Sequence, residues 1–328
     1  MKLFNESKPH IKSKDTTNII MTDILIAMIF LVILSFLYFG SRALLIIFIS
    51  VVVSYSLDLI CISILNKSFR LPDISSIVTG VIIALLMPAK VPMYVVISSC
   101  VFGILIAKQC FGGLGQNIFN PAAAGVAFSS LCWPDLMFIY PVPDIAVETG
   151  VMAESVCYIL KLGAHPNISV VDMLLGKQPG PIGTVHILVI ISCVLWLIIR
   201  KSVYWPEILS FITSCILIAF IFPRIHSARL LSVIYELFSG SLLFGSVFMI
   251  TDPVTAPKYN ISKIFYGAII GILTMIFRYI GGFSQGICFA ILIANSLSFS
   301  LDKIIYKHWG SFNILKLIRS RGDFSVKN

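Results

Sequence analysis

Charge is what this chain has least of. Only 12% of its 328 residues are Asp, Glu, Lys or Arg, and the mean hydropathy is +0.98, whereas soluble domains carry roughly 25% charged residues. A soluble globular class is excluded on that ground alone, and a polytopic membrane protein follows. Chemistry-bearing motifs are scarce as well. The eight cysteines, Cys61, Cys100, Cys110, Cys132, Cys157, Cys193, Cys215 and Cys288, include no CxxC pair or other zinc or iron–sulfur spacing. The five histidines are scattered, so no metal site is expected. There is no phosphate loop, GxSxG elbow or GxGxxG after a strand, which leaves soluble nucleotide and hydrolase chemistry without support. A cleavable signal is not expected either: residues 1–18 are polar and lead straight into a full-length apolar span.

What is present is apolar sequence in span-sized pieces. At about 20 residues per span, ten transmembrane helices are expected, over roughly 20–39, 43–65, 75–88, 92–109, 119–133, 184–199, 206–223, 230–250, 263–278 and 284–301. The expected organisation is a cytoplasmic tail at 1–18, a first membrane repeat at 19–133, an external loop at 134–183, a second repeat at 184–301 and a cytoplasmic tail at 302–328. With the N-terminus inside, seventeen of the 24 basic residues fall in inside segments and seven outside. This is the asymmetry the positive-inside rule demands, with both termini cytoplasmic, and it accounts for the net charge of +9 without a nucleic-acid partner.

Against this apolar background, FGGLGQNIFNP at 111–121 stands out. Glycine frees the backbone and proline removes a donor, so in hydrocarbon such a break has to be buried in protein or line a cavity. A tight loop at the membrane edge is the plain alternative. A second break, IGGFSQG, lies at 280–286. Gly80 to Pro88 and Gly245 to Pro253 share one spacing. The later landmarks Gly103, Gly112, Gly113, Asn120 and Phe128 align with Gly271, Gly281, Gly282, Asn295 and Phe299. Two copies of five helices follow, and because five is odd the copies must be inverted in the membrane. The two glycine breaks are expected to meet near the repeat axis around a cavity or ion path formed by Gly112, Gly113, Asn117, Asn120, Asp252, Gly281, Gly282 and Gln285. Asn117 and Gln285 are expected to face inward, and Gly113 to be required for close backbone approach. Asp252, beside Pro253, reads as a helix cap, with a Lys258 pair and an ion-facing carboxylate as the other readings.

The segments KPHIKSKDTTNIIMTDILIA, LPDISSIVTGVIIALLMPAKVP, KQCFGGLGQNIFNPAAAGVAF, LLGKQPGPIG, LLFGSVFMITDPVTAPKY and GGFSQGICFAILIAN, in this order over nearly the whole chain, resemble the RnfD/NqrB family, and the opening is most like the Rnf member. The resemblance implies an all-α, ten-helix subunit similar in fold to urea channels. It would sit multi-pass in the bacterial inner membrane with the other subunits of an electron transport complex, where electron flow between ferredoxin and NAD drives sodium or proton movement. It also implies FMN, which family members carry as a phosphoester on a threonine of the external loop. Here the sequence departs. In PDIAVETGVMAES the acceptor position falls on Gly150 or Val151, neither with a hydroxyl, and Thr149 is out of register. The locally acidic loop offers a phosphate only Lys161 and Lys177, so no covalent FMN is expected. A urea-transporter-like channel with no redox role is the alternative that broken repeats alone would equally support.

Overall fold

The computed structural model describes residues 17–66, 72–141, 143, 152–225, 228–281 and 283–307. Gly282, Thr149, Gly150 and Val151, and residues 1–16 and 308–328 of the tails expected to be cytoplasmic, lie outside the described residues. Among the described residues the fold is all-α apart from one short hairpin. The first half runs α1 (Thr17–Phe39), α2 (Ser41–Asn66), α3 (Ile74–Leu85), α4 (Met93–Val101) and α5 (Pro121–Cys132). The loop expected to be external holds α6 (Pro134–Met137), β1 (Ile139–Pro141), β2 (Met152–Glu154), α7 (Val156–Lys161) and α8 (Val170–Leu174). The second half runs α9 (Ile187–Ile199), α10 (Trp205–Ile221), α11 (Arg229–Phe238), α12 (Leu242–Phe248), α13 (Asn260–Gly281) and α14 (Gly286–Ile305). The strands pair antiparallel, Tyr140 opposite Ala153.

Five elements among the described residues are long and apolar enough to cross a membrane, α4 being continued to Phe111 by a wide π turn over Phe102–Lys108 and a tight turn over Gln109–Phe111. α11 and α12 form a pair bent by 52°, and α3, α5, α9 and α10 are shorter apolar helices. These elements coincide in position with the ten expected spans; five of them, or six with the bent pair counted as one, are long and apolar enough to cross, and the spans placed at 75–88 and 230–250 are not continuous. α3 and α5, at 12 residues each, reach only about 18 Å at 1.5 Å per residue, short of a ~30 Å hydrocarbon core. They end inside protein, at breaks. Phe30, Leu37, Phe48, Ile199 and Phe299 are exposed on the outer faces, where lipid, as apolar as they are, solvates them.

Contacts between the halves show the repeat directly. Asp23, near the start of α1, takes Arg200 Nη2 at 3.0 Å just past the end of α9. Further along, Cys193 Sγ donates to Ala27 O at 3.4 Å, and Ser35 Oγ reaches Ile182 O at 3.2 Å. Numbers rise along α1 as they fall along α9, so this pair is antiparallel. The pair at the centre, α5 and α14, is antiparallel too. The backbone N–H of Asn120, the residue capping α5, donates to Asn295 Oδ1 at 3.0 Å. Ser130 Oγ donates to Oε1 of Gln285, the residue preceding α14, at 2.9 Å. Asn120 and Gln285 each sit ten positions before the residue that meets the other. The two-fold relation therefore equates Asn120 with Gln285 and Ser130 with Asn295, which corrects the spacing match of Asn120 to Asn295. Within the halves the same neighbours recur: α2 packs on α4 as α10 packs on α13, and α4 on α5 as α13 on α14.

Candidate functional site

Each break releases backbone carbonyls that hydrocarbon cannot satisfy, and the other half supplies the donors. After α3, Leu85 O accepts from Gly183 N at 2.7 Å, Leu86 O from Gln285 Nε2 at 2.6 Å and Met87 O from Ile182 N at 3.0 Å. Arg42 closes the far side, bonding Ala89 O at 3.1 Å and Val91 O at 3.2 Å. After α12, Met249 O accepts from Asn120 Nδ2 at 3.3 Å. Among the described residues no hydrogen bond joins the two glycine breaks. Each reaches the proline break of the opposite repeat, because the carbonyls in need of donors lie there.

Asn120 also caps its own helix. Its Oδ1 accepts from Ala123 N at 3.1 Å with Pro121 at the first helical position, the arrangement that the run Asn-Pro-Ala-Ala favours. Around it lies a partly open cavity of about 40 Å³, lined by Ser75, Thr79, Lys108, Asn117, Asn120 and Asp252 among apolar side chains of α1, α3 and α12. That is room for a few waters or one small ion. Asn117 Nδ2 bonds Phe119 O at 3.2 Å, while its Oδ1 is buried without a partner. Asp252 accepts from Thr255 Oγ1 at 2.8 Å and from Val254 N at 3.3 Å. It thus closes a local turn, in keeping with a capping role. The Lys258 pair does not form: the backbone N–H of Lys258 donates instead to Asp302 at 2.8 Å. Gln285 and Gly281 line no part of this cavity. Gln285 is fully buried between Ser130 and Leu86.

Gly112 and Gly113 adopt φ of +109° and +90°. A Cβ on Gly113 would meet nothing nearer than Gln109 Oε1 at 3.7 Å. Its requirement is a left-handed backbone, not the close approach expected from sequence. Close approach occurs instead at Gly103, where a Cβ would fall 2.6 Å from Pro121 O.

Sequence reading misses the buried charges. Lys108 Nζ, 2% exposed, donates to Asp58 Oδ2 and to Ser75 Oγ, both at 2.9 Å, and Gln109 Nε2 bonds the other Asp58 oxygen. In the second half Arg278, fully buried, donates to Glu236 O at 2.7 Å, Ser239 O at 3.0 Å, Ser239 Oγ and Cys157 Sγ at 3.3 Å, with the Glu236 carboxylate 3.6 Å away. Each cation precedes a glycine break; Lys108 ties down the start of α3, and Arg278 the end of α11 where the chain bends into α12. Lys108 lies one residue further from its glycines than Arg278 does, and the wide turn at Phe102–Lys108 takes up the extra residue. Neither is a loop charge, as a count of basic residues by topology assumes; setting both aside leaves the inside excess standing. The available signal is a lone Asp58 or Lys108 inside an apolar run, which at membrane depth marks pairing or function.

In the loop between the halves a cavity of about 920 Å³ is lined by Glu154, His165, Ser169, Asp172 and Lys177, large enough for a cofactor. Its charges do not suit a flavin phosphate. Lys177 lies 3.8 Å from Asp172, and Lys161 donates to Gly281 O at 3.1 Å. Both cations that the sequence offers are committed, and two carboxylates face the space. Nearby, the buried Tyr140 hydroxyl bonds Ser284 Oγ at 2.7 Å, and burial pushes its ionisation well above the usual phenol range. The cysteines are all free, and no cluster of metal-ligating side chains occurs among the described residues.

Residues 4–309 match the model of the NQR2, RnfD, RnfE family. Among curated relatives, the D subunit of the Na+-translocating ferredoxin:NAD+ oxidoreductase complex of Acetobacterium woodii is 31% identical over 88% of this chain and 89% of its own length. The D subunit of the proton-translocating ferredoxin:NAD+ oxidoreductase complex of Clostridium ljungdahlii is 27% identical over 90% and 92%. The D subunit of an ion-translocating oxidoreductase complex of Escherichia coli is 30% identical over 69% and 74%. With its two inverted broken-helix halves and this full-length match, the chain belongs to the NQR2, RnfD, RnfE family.

Proposed function

We propose that the chain is the D-type membrane subunit of an ion-translocating ferredoxin:NAD+ oxidoreductase, a redox-driven translocase of the bacterial inner membrane with both termini cytoplasmic. It works with the other subunits of that complex, which meet ferredoxin and NAD. The relatives' names and the near-complete coverage support this reading; they lend nothing to a channel without a redox role. The observation that carries the ion path is the small cavity at the break after α12, where Asp252, Asn117 and Lys108 gather among apolar side chains. A buried carboxylate, an unpartnered amide oxygen and a displaceable ammonium form a site through which a small cation passes in steps. The cavity's size favours a sodium ion or a hydrated proton over an organic solute such as urea.

FMN enters through the family. The acidic external cavity and the missing hydroxyl at Gly150 and Val151 argue that this chain holds no flavin phosphoester there, and no step of the mechanism is routed through one. Purifying a tagged chain from its native membrane tests the main reading. The expected result is a multi-subunit complex that reduces NAD+ with reduced ferredoxin and takes up ions into vesicles. Recovery of a lone chain, together with unaltered ferredoxin-dependent NAD+ reduction in its deletion strain, contradicts it. Intact mass tests the flavin statement: an added FMN mass that disappears in T149V overturns it.

A further inference from the structure

Glu207 sits in the first turn of α10, 1% exposed, and neither of its carboxylate oxygens has a hydrogen-bond partner. The sequence offers it as an ordinary acid at a helix start, following Pro206. Its position is unlike the other buried acids. Asp58 has Lys108 and Gln109, Asp23 has Arg200 and Ser202, Glu236 has Arg224 and Arg278, and Asp252 has Thr255.

The charged and titratable groups whose fields act on Glu207 are Lys263 and Tyr266 of α13 and Asp252 of the break. Lys263 Nζ rests 5.3 Å from the Tyr204 ring centroid and forms no ion pair with Glu207. Tyr266, fully buried, accepts from Asn295 Nδ2 at 2.6 Å, so its own O–H is not used in that bond. Asn295 in turn holds Asn120 at the cavity. The site is too tight for a metal ion with an oxygen shell. α10 and α13 meet so closely that a Cβ on Gly267 would overlap Glu207 O and Ser210 Oγ, and one on Gly271 would fall 2.7 Å from Phe211 O. A naked anion here loses its hydration with nothing to replace it. A proton needs no space and removes the charge.

We propose that Glu207 is a proton-binding site of this subunit, joined to the Asp252 cavity through the Gly267 contact with its backbone and the Tyr266–Asn295–Asn120 hydrogen bonds: with its proton on, Asp252 faces one negative charge fewer. This rests on the reading of that cavity as an ion site, but the test does not. pH-difference infrared spectroscopy of the complex in its membrane reads the carboxylic acid carbonyl band directly. The expected result is a titrating band that E207Q removes, with its midpoint raised in K263M, because loss of the nearby positive charge disfavours the carboxylate. A spectrum in which E207Q removes no titrating acid band, in a complex assembled to the wild-type level, overturns the proposal. Failure of the ion-site reading would show separately, as wild-type ion transport in a cavity variant such as D252N, with the Glu207 band still present.

Discussion

The two breaks are the same device built twice with different cations, and the difference is instructive. At the second, the Arg278 guanidinium spreads its planar fork over Glu236, Ser239 and Cys157, and the α11–α12 bend is locked. At the first, Lys108 places a compact ammonium between Asp58 and Ser75 on a flexible stem, and about 40 Å³ beside it stays open. Arg saturates several acceptors at once; Lys is a mobile point charge. The contacts of Arg278 are thereby a structural lock, whereas Lys108 borders a space, shared with Asp252 of the second half, that has room for an ion.

R278M should have the largest effect. It leaves Glu236 with Arg224 as its one remaining cation and takes the buried donors away from Glu236 O and Ser239 O, which costs about 3–5 kcal/mol, a large part of a typical stability of ~5–15 kcal/mol. The chain is expected to fail to accumulate in the membrane, with R278K restoring only part of the loss; an immunoblot at wild-type level would break the comparison. Next come Q285A and N120A, which remove equivalent bonds across the two-fold. Each leaves a buried carbonyl unpaired, at about 1–3 kcal/mol. Melting of the purified complex should fall in both, by similar amounts, and a shift in only one would deny their equivalence.

K108R sharpens the contrast from the other side. It should keep the Asp58 pair, fill the cavity and make the first break resemble the second. Assembly is expected to persist while redox-driven ion uptake drops about tenfold, equivalent to ~1.4 kcal/mol of barrier. Unchanged uptake in vesicles would count against the cavity. Smallest is G113A, at about 1 kcal/mol for a left-handed residue with open space around it. G113L should cost little more, since size is not the constraint, and a complex lost only in the leucine variant would restore the packing explanation.

Much of the fold is legible because its signals are local. Apolar runs of span length, the Asn-Pro start of α5 and the matched Gly80–Pro88 and Gly245–Pro253 spacings come straight from the sequence. The inversion follows from an odd helix count, and the α1–α9 and α5–α14 hydrogen bonds show it. What cannot be read is partnership. Gln285 meets Leu86 and not Asn117, because the carbonyls needing donors belong to the opposite proline break. Spacing matches Asn120 to Asn295, its contact, and not to Gln285, its equivalent, because one residue added before the first glycine pair and hidden in a wide turn shifts the register. Asp58 and Glu236 stay silent until folding places Lys108 and Arg278 on them.

The central claim is that ions pass by the Lys108–Asp252 cavity. D252N, nearly isosteric and retaining an acceptor for Thr255, tests it most directly. In inverted membrane vesicles supplied with reduced ferredoxin and NAD+, ion uptake and NADH formation are measured together. The account predicts that the ratio of ions moved to electrons transferred falls at least about tenfold, ~1.4 kcal/mol of coupling, in a complex present at normal level. A D252N complex that holds the wild-type ratio would contradict it.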